Sequence, residues 1–162
     1  MILGFLRSMS ILVLTAACSV ATLLAAGLLR GSAPGRVMAW WGRAFLRMGG
    51  FRVRVEGLSD LPPGGAVLVS NHQSLVDIPL LLSAFRRPVK FLAKRELGGI
   101  PLFGRAMAAA GNLFVDRDDP RDAVHMLRDA GACVRGGALL VVFPGGARGA
   151  GGSIGGVKQG AV

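Results

Sequence analysis

From Met9 to Leu29 the chain runs for 21 residues without a charged side chain. A helix of that length rises about 30 Å, the thickness of a bilayer's hydrocarbon core. The run therefore reads as a membrane helix at the start of the chain. A secretory signal peptide is the alternative, since Arg7 precedes the run and Ala25-Ala26-Gly27 places small residues near its end. The apolar stretch is longer than a usual signal core. After it come Arg30, Arg36, Arg43, Arg47, Arg52 and Arg54, against only Arg7 and the amino terminus before it. That bias places the following domain on the cytoplasmic side of a cell membrane.

The next segment is amphipathic at helical period. Arg36, Arg43 and Arg47 share one face, Val37, Trp41, Phe45 and Met48 share another, and Trp40 lies near the boundary. Such a helix fits the membrane surface, with arginines at lipid phosphates and tryptophans at head-group depth. It also fits an ordinary helix packed on a domain, because periodicity does not distinguish lipid from protein as the apolar neighbour.

Charge bounds the partners. Nineteen Lys and Arg against nine Asp and Glu leave a formal +10, which favours an anionic partner. The basic residues are spread from Arg7 to Lys158 with no zinc-finger, RRM or helix-turn-helix signature, so nucleic acid is not the expected one. Cys18 and Cys133 lie far apart with no second ligand at metal spacing. Both read as small buried hydrophobes, and neither a disulfide nor a metal site is expected.

Beyond residue 50 the pattern changes to short strands alternating with helices. Phe51 to Glu56 alternates apolar and charged residues at period two and predicts a strand with one exposed face. Pro62-Pro63-Gly64-Gly65 is a turn, and Ala66 to Ser70 is a short apolar run of buried-strand type. Ile78 to Phe85 predicts a helix, Val89 to Ala93 a strand, Pro101 to Ala110 a helix, and Asn112 to Val115 a strand. Asp119-Pro120 is a helix start with Asp as N-cap and Pro at the first position, the helix running to about Arg135. Ala138 to Phe143 is the last strand, followed by a glycine-rich stretch read as irregular. The expected class is α/β: a mixed central sheet flanked by helices, behind the membrane helix and the amphipathic interfacial helix. Residues 1–50 form the anchor and residues 51–162 the domain. In such folds the functional loops lie where strands end and helices begin. Three polar clusters fall there: Asn71 to Asp77, Asp116-Arg117, and Pro144 to Arg148.

The first cluster carries acid–base chemistry. A strand ending at Ser70 presents His72 on a loop, and Asp77 in the next helix's first turn is placed to hydrogen-bond one imidazole nitrogen. The other nitrogen is then free to take a proton from a hydroxyl, the base-and-orienter half of a catalytic triad. Alone, the pair reads better as a helix cap beside a loop histidine. His125 has alanine five positions on and lies inside a predicted helix, so it reads as structural.

The clusters form a series. Asn71-His-Gln-Ser-Leu-Val-Asp77, then Gly111-Asn-Leu-Phe-Val-Asp-Arg117, then Phe143-Pro-Gly-Gly-Ala-Arg148 resembles the ordered motifs of the 1-acylglycerol-3-phosphate acyltransferase family. Phe91-Leu-Ala-Lys94-Arg-Glu-Leu97, with Pro101 and Gly104, is similar to the stretch between that family's first two motifs. Val157-Lys158-Gln-Gly160 is similar to the segment after its third.

The resemblance covers about residues 65 to 160. It implies acyl transfer from acyl-CoA or acyl-carrier protein to the free hydroxyl of a lysophospholipid, most often lysophosphatidic acid. His72 is then the general base and Asp77 its partner. Asn71, Ser74, Lys94, Gly111, Phe114, Arg117, Phe143, Pro144, Gly146 and Arg148 are the implied substrate-binding positions. The guanidinium forks of Arg117 and Arg148 suit a phosphate. Membrane phospholipid is the implied surroundings, and no metal or redox cofactor is implied. Two departures stand out: Gly145 and Ala147 occupy positions where the family's third motif carries Glu and Thr. The chain also reaches Val162 before the family's fourth motif, so it reads as a C-terminally truncated member.

Overall fold

The computed structural model describes residues 2–29, 31–116 and 119–144. The apolar run lies within a helix, α1 (Ile2–Leu28), whose length and composition suffice to cross a membrane. Most of its large side chains, among them Phe5, Leu12, Val13 and Leu24, are exposed. One stripe is different. Thr15, Cys18, Ser19 and Thr22 recur at helical spacing, and α1 packs there against α2 (Ala33–Gly49) and α5 (Phe103–Ala109). Cys18, Ser19 and Thr22 are buried. The hydroxyls of Thr15, Ser19 and Thr22 donate to carbonyls four residues back, so this seam holds no unsatisfied polar group.

Helix α2 turns its apolar side to protein rather than outward. Met38 and Trp41 pack into the core over the sheet, and α2 crosses α3 (Asp77–Ala84) so closely that a Cβ at Gly42 would lie 2.8 Å from the Pro79 carbonyl oxygen. The outward stripe is Arg36, Trp40, Arg43 and Arg47. Trp40, expected near the boundary, thus lies within the basic stripe.

The sheet has the order β1 (Ala66–Val69), β4 (Leu139–Val142), β2 (Val89–Lys94), β3 (Leu113–Val115). Every described pairing is parallel, where a mixed sheet was expected. A parallel pair needs a crossover, and the chain supplies helices between successive strands. Strand β4 lies in the middle, with Leu139, Leu140 and Val141 at most 1% exposed. Alternation along it divides two cores: Leu139, Val141 and Phe143 join Val89, Phe91 and Leu82 under α2 and α3, and Leu140 and Val142 join Leu92, Val115 and Met126 under α6 (Pro120–Arg135). Helix α6 starts as expected, with Asp119 accepting from the Arg121 N–H at 2.9 Å. Cys133 is buried in the α6 core.

Two expectations need correction. Residues 51–56 form no strand, and all six are exposed. Period two decides which residues share a face, but a strand also requires a neighbour to hydrogen-bond, and among the described residues none pairs with 51–56. Strand β1, expected to be buried, is half-buried: Val67 and Val69 are exposed, and α6 packs chiefly on β3 and β4. A short helix unforeseen in the sequence, α4 (Arg95–Gly98), follows β2 directly.

Candidate active site

Because the strands are parallel, the chain leaves β1, β2 and β4 at the same end of the sheet, the position at which α/β folds gather functional loops. Ser70 continues the β1–β4 ladder, its N–H donating to the Val142 carbonyl at 3.1 Å. Two residues later the loop presents His72. The loop then closes on the first turn of α3, where Asp77 Oδ2 accepts from three donors: His72 Nδ1 at 2.9 Å, Gln73 N–H at 2.7 Å and Ser74 N–H at 2.9 Å. Ser74 also accepts from the Val76 N–H through its hydroxyl, tightening the same turn.

Burial on its own pushes the pKa of the Asp77 carboxyl up. The hydrogen bonds from Ser74 and Gln73, and then the interaction with His72, outweigh it and hold the carboxyl below its ordinary range. The group is therefore a carboxylate at neutral pH. An ionised carboxylate only accepts, so His72 Nδ1 carries the hydrogen and Nε2 is left as the basic nitrogen. The side chains of His72 and Asp77 are 21% and 25% exposed, accessible to a substrate yet held by neighbours.

His72 forms part of the wall of a cavity of about 470 Å³. Helix α1 contributes Thr15, Cys18, Ser19 and Thr22, α2 contributes Met38 and Trp41, and α5 contributes Phe103, Ala106 and Met107. The sheet end adds Phe91, Leu92, Ala93 and Phe143. Trp41 Nε1 donates to the Thr15 hydroxyl at 3.1 Å, tying α2 to α1 at the cavity wall. The lining is mainly apolar, with a base at one point and the exposed Lys94 and Glu96 among its few charged members. A ligand that buries a hydrocarbon segment and presents a polar reacting group suits such a space.

The expected site residues are dispersed unequally. His72, Asp77, Ser74 and Phe143 come together, and Phe143 stacks on the imidazole. Asn71 is exposed beside them, and its carbonyl accepts from the Ser70 hydroxyl. Pro144 follows Phe143 directly. Lys94 pairs with Glu96 at 3.3 Å. Gly111 lies at the opposite end of β3 from Asp116, in a left-handed turn with φ of 80° and a space that a Cβ would share with Lys90. Phe114 rests on Gly98 of α4 rather than in the cavity. Arg117, Gly146 and Arg148 lie outside the described residues. Beyond β3, Asp122 pairs with Arg95 and accepts from the Asp116 N–H at 2.7 Å, fastening the end of β3 to α4 and α6.

Sequence reasoning missed the contribution of α1. Four small or hydroxyl-bearing residues at i, i+3, i+4 and i+7 inside an apolar run were the available signal for a protein-facing seam. Phe91 was also missed, since an aromatic in a buried strand has no distinctive pattern.

Sequence and fold are both similar to those of known proteins. Residues 52–162 match the family described as Acyltransferase. The chain is 39% identical over 113 residues to the chloroplastic 1-acyl-sn-glycerol-3-phosphate acyltransferase of Arabidopsis thaliana, covering 68% of this chain and 32% of that protein. It is 36% identical over 100 residues to the 1-acyl-sn-glycerol-3-phosphate acyltransferase of Helicobacter pylori, covering 62% and 42% respectively. Its fold is similar to the crystal structure of the 1-acyl-sn-glycerophosphate acyltransferase from Thermotoga maritima, with a TM-score of 0.64, 25% identity, and coverage of 96% of this chain and 69% of that one. The chain spans about a third to two fifths of the length of these two curated relatives.

Proposed function

Because the chain belongs to the acyltransferase family, we propose that it transfers a fatty acyl group from acyl-CoA or acyl-carrier protein to the hydroxyl of a lysophospholipid, 1-acylglycerol-3-phosphate first among them. The observation that carries the reading is His72, oriented by Asp77 and set in the wall of an apolar cavity. In this reading the cavity takes the acyl chain and brings its thioester carbonyl to the basic nitrogen.

His72 Nε2 removes the proton of the acceptor hydroxyl as its oxygen attacks the thioester carbonyl carbon. The tetrahedral adduct collapses, the carbon–sulfur bond breaks, and the departing thiolate takes the proton from His72. The enzyme's own charge returns to its starting value. The residues are asked only to move a proton and hold substrates, so the reading calls for no metal or redox cofactor. Arg117 and Arg148 are assigned to the acceptor's phosphate, for which a guanidinium offers two parallel donors. The basic excess after α1 supports assigning the domain to the cytoplasmic face of the membrane.

The test is acyl transfer to lysophosphatidic acid in membranes carrying the chain. His72→Ala is expected to lower the rate by on the order of a hundredfold or more, and an unchanged rate rules out the proposed base.

One observation favours a second reading. Gly145 and Ala147 place neither a carboxylate nor a hydroxyl in the third motif, which fits a lipid-binding remnant of the family with weak or no turnover. An inactive parent chain that gains transfer with Gly145→Glu supports the remnant.

A further inference from the structure

The imidazole of His72 lies nearly flat on the ring of Phe143, with centroids 4.4 Å apart and planes 24° from parallel. Behind Phe143 lies Phe91, its centroid 6.2 Å away and its plane within 16°. We propose that this three-ring ladder positions the base: Phe143 fixes the plane of the His72 imidazole and supports its charged form, and Phe91 holds Phe143 in place. The inference rests on the acyl-transfer reading for its kinetic consequence and on the ring geometry alone for its structural one.

The fold builds the ladder from strand register. Phe91 pairs with Val141 in the parallel ladder of β2 and β4. Phe143 lies two residues beyond Val141 and so points to the same side of the sheet, the side that also holds Leu139 and Val89. The adjacent pairing of Val69 with Val142 brings the end of β1 alongside, and His72 follows it. Phe91 is itself fixed at the backbone, its N–H donating at 2.9 Å to Oδ1 of buried Asn112, whose amide donates to the Met107 carbonyl. Both phenyl rings are buried.

A single hydrogen bond from Nδ1 to Asp77 leaves the imidazole free to tilt about that contact. Apposition to a flat ring removes the tilt and aims Nε2. When His72 takes the acceptor's proton, the new positive charge spreads over a ring that faces the electron-rich surface of Phe143, a favourable cation–π arrangement. Phe143 therefore acts through His72 as a positioning residue. This differs from acceptor binding, the role the motif resemblance implies for it, and the two roles separate in kinetics.

The experiment compares Phe143→Leu, which removes the ring, with Phe143→Tyr, which keeps it. Positioning predicts that Phe143→Leu lowers kcat on the order of tenfold with KM for the lysophospholipid unchanged. Phe143→Tyr, which keeps the ring, recovers most of the kcat lost in Phe143→Leu, and Phe91→Leu shows a smaller loss in kcat than Phe143→Leu. A parental kcat in Phe143→Leu, or a change confined to KM, overturns the proposal.

A second readout needs no turnover. The chain has two histidines, and His125 is exposed on α6, so His125→Gln leaves His72 as the single imidazole signal in NMR of the histidine-labelled protein in micelles. Phe143 is expected to shift the His72 ring protons upfield through its ring current. Phe143→Leu, or Phe143→Met if leucine disturbs the core, is expected to move them back, and Phe143→Tyr is not. Resonances unmoved in the ring-free variants overturn the ladder. A parent chain that transfers no acyl group sinks the functional reading instead, and the NMR comparison still decides the ladder.

Discussion

Asp77 performs two tasks with one oxygen. It holds the loop from His72 to Ser74 through two backbone N–H groups, and it sets the histidine tautomer through Nδ1. Replacement by Asn keeps the size but substitutes a weaker neutral acceptor and adds a donor that favours the wrong tautomer. Asp77→Asn is therefore expected to lower transfer by on the order of a hundredfold or more. It also has a pH signature. The folded carboxyl lies below its ordinary value, so its stabilising contribution is present above the unfolded value of about 4 and is lost as pH falls through the folded one. Thermal unfolding should show the parent more stable than Asp77→Asn at neutral pH, with the gap closing in strong acid. A gap that widens on acidification contradicts the assignment. The pair itself was legible in the sequence as a histidine five residues before an aspartate. The additional N–H donors were not, because they depend on how the loop closes onto α3.

Helix α2 has two faces with separate work. Inward, Gly42 permits the close crossing with α3, where a Cβ would meet backbone that cannot move away cheaply. Gly42→Val is expected to destabilise the fold by about 1–3 kcal/mol through overpacking, measured as a lower midpoint in denaturant. An unchanged midpoint would mean that α2 and α3 adjust freely. Outward, Arg36, Trp40, Arg43 and Arg47 form a stripe suited to anionic head groups. In a Trp41→Phe variant, Trp40 remains as the sole indole of the chain's two. Its emission is expected to shift to the blue on adding anionic vesicles, less so at high salt because the attraction is screened. Emission indifferent to vesicles would remove α2 from the membrane surface. The helical period was readable from residues 36 to 48, and which neighbour each face meets was not. The failed strand at 51–56 teaches the same lesson, since its alternation is real and its pairing partner is absent among the described residues.

At the scale of the molecule, anchor and domain are divided by the sequence and joined by the fold. The boundary expected at residue 50 separates an apolar, basic-flanked segment from an alternating α/β one. Yet α1 and α2 supply one side of the cavity and the sheet and α5 supply another. Deleting residues 1–50 would thus remove part of the site as well as the anchor.

The sequence by itself determined the elements and the chemistry available to them: an uncharged run long enough for a bilayer, an amphipathic helix, short apolar strands between helices, and a histidine, an aspartate and two arginines at ordered loop positions. These are legible because period, capping and loop chemistry act over a few residues, as Asp119 and Pro120 at the start of α6 show. Only the tertiary structure decided that the strands pair in parallel with β4 central, that the Thr15–Thr22 stripe faces the base, and that Phe143 and Phe91 stack behind it. Those outcomes depend on which distant surfaces bury one another, and burial is a property of the whole chain that no local window contains.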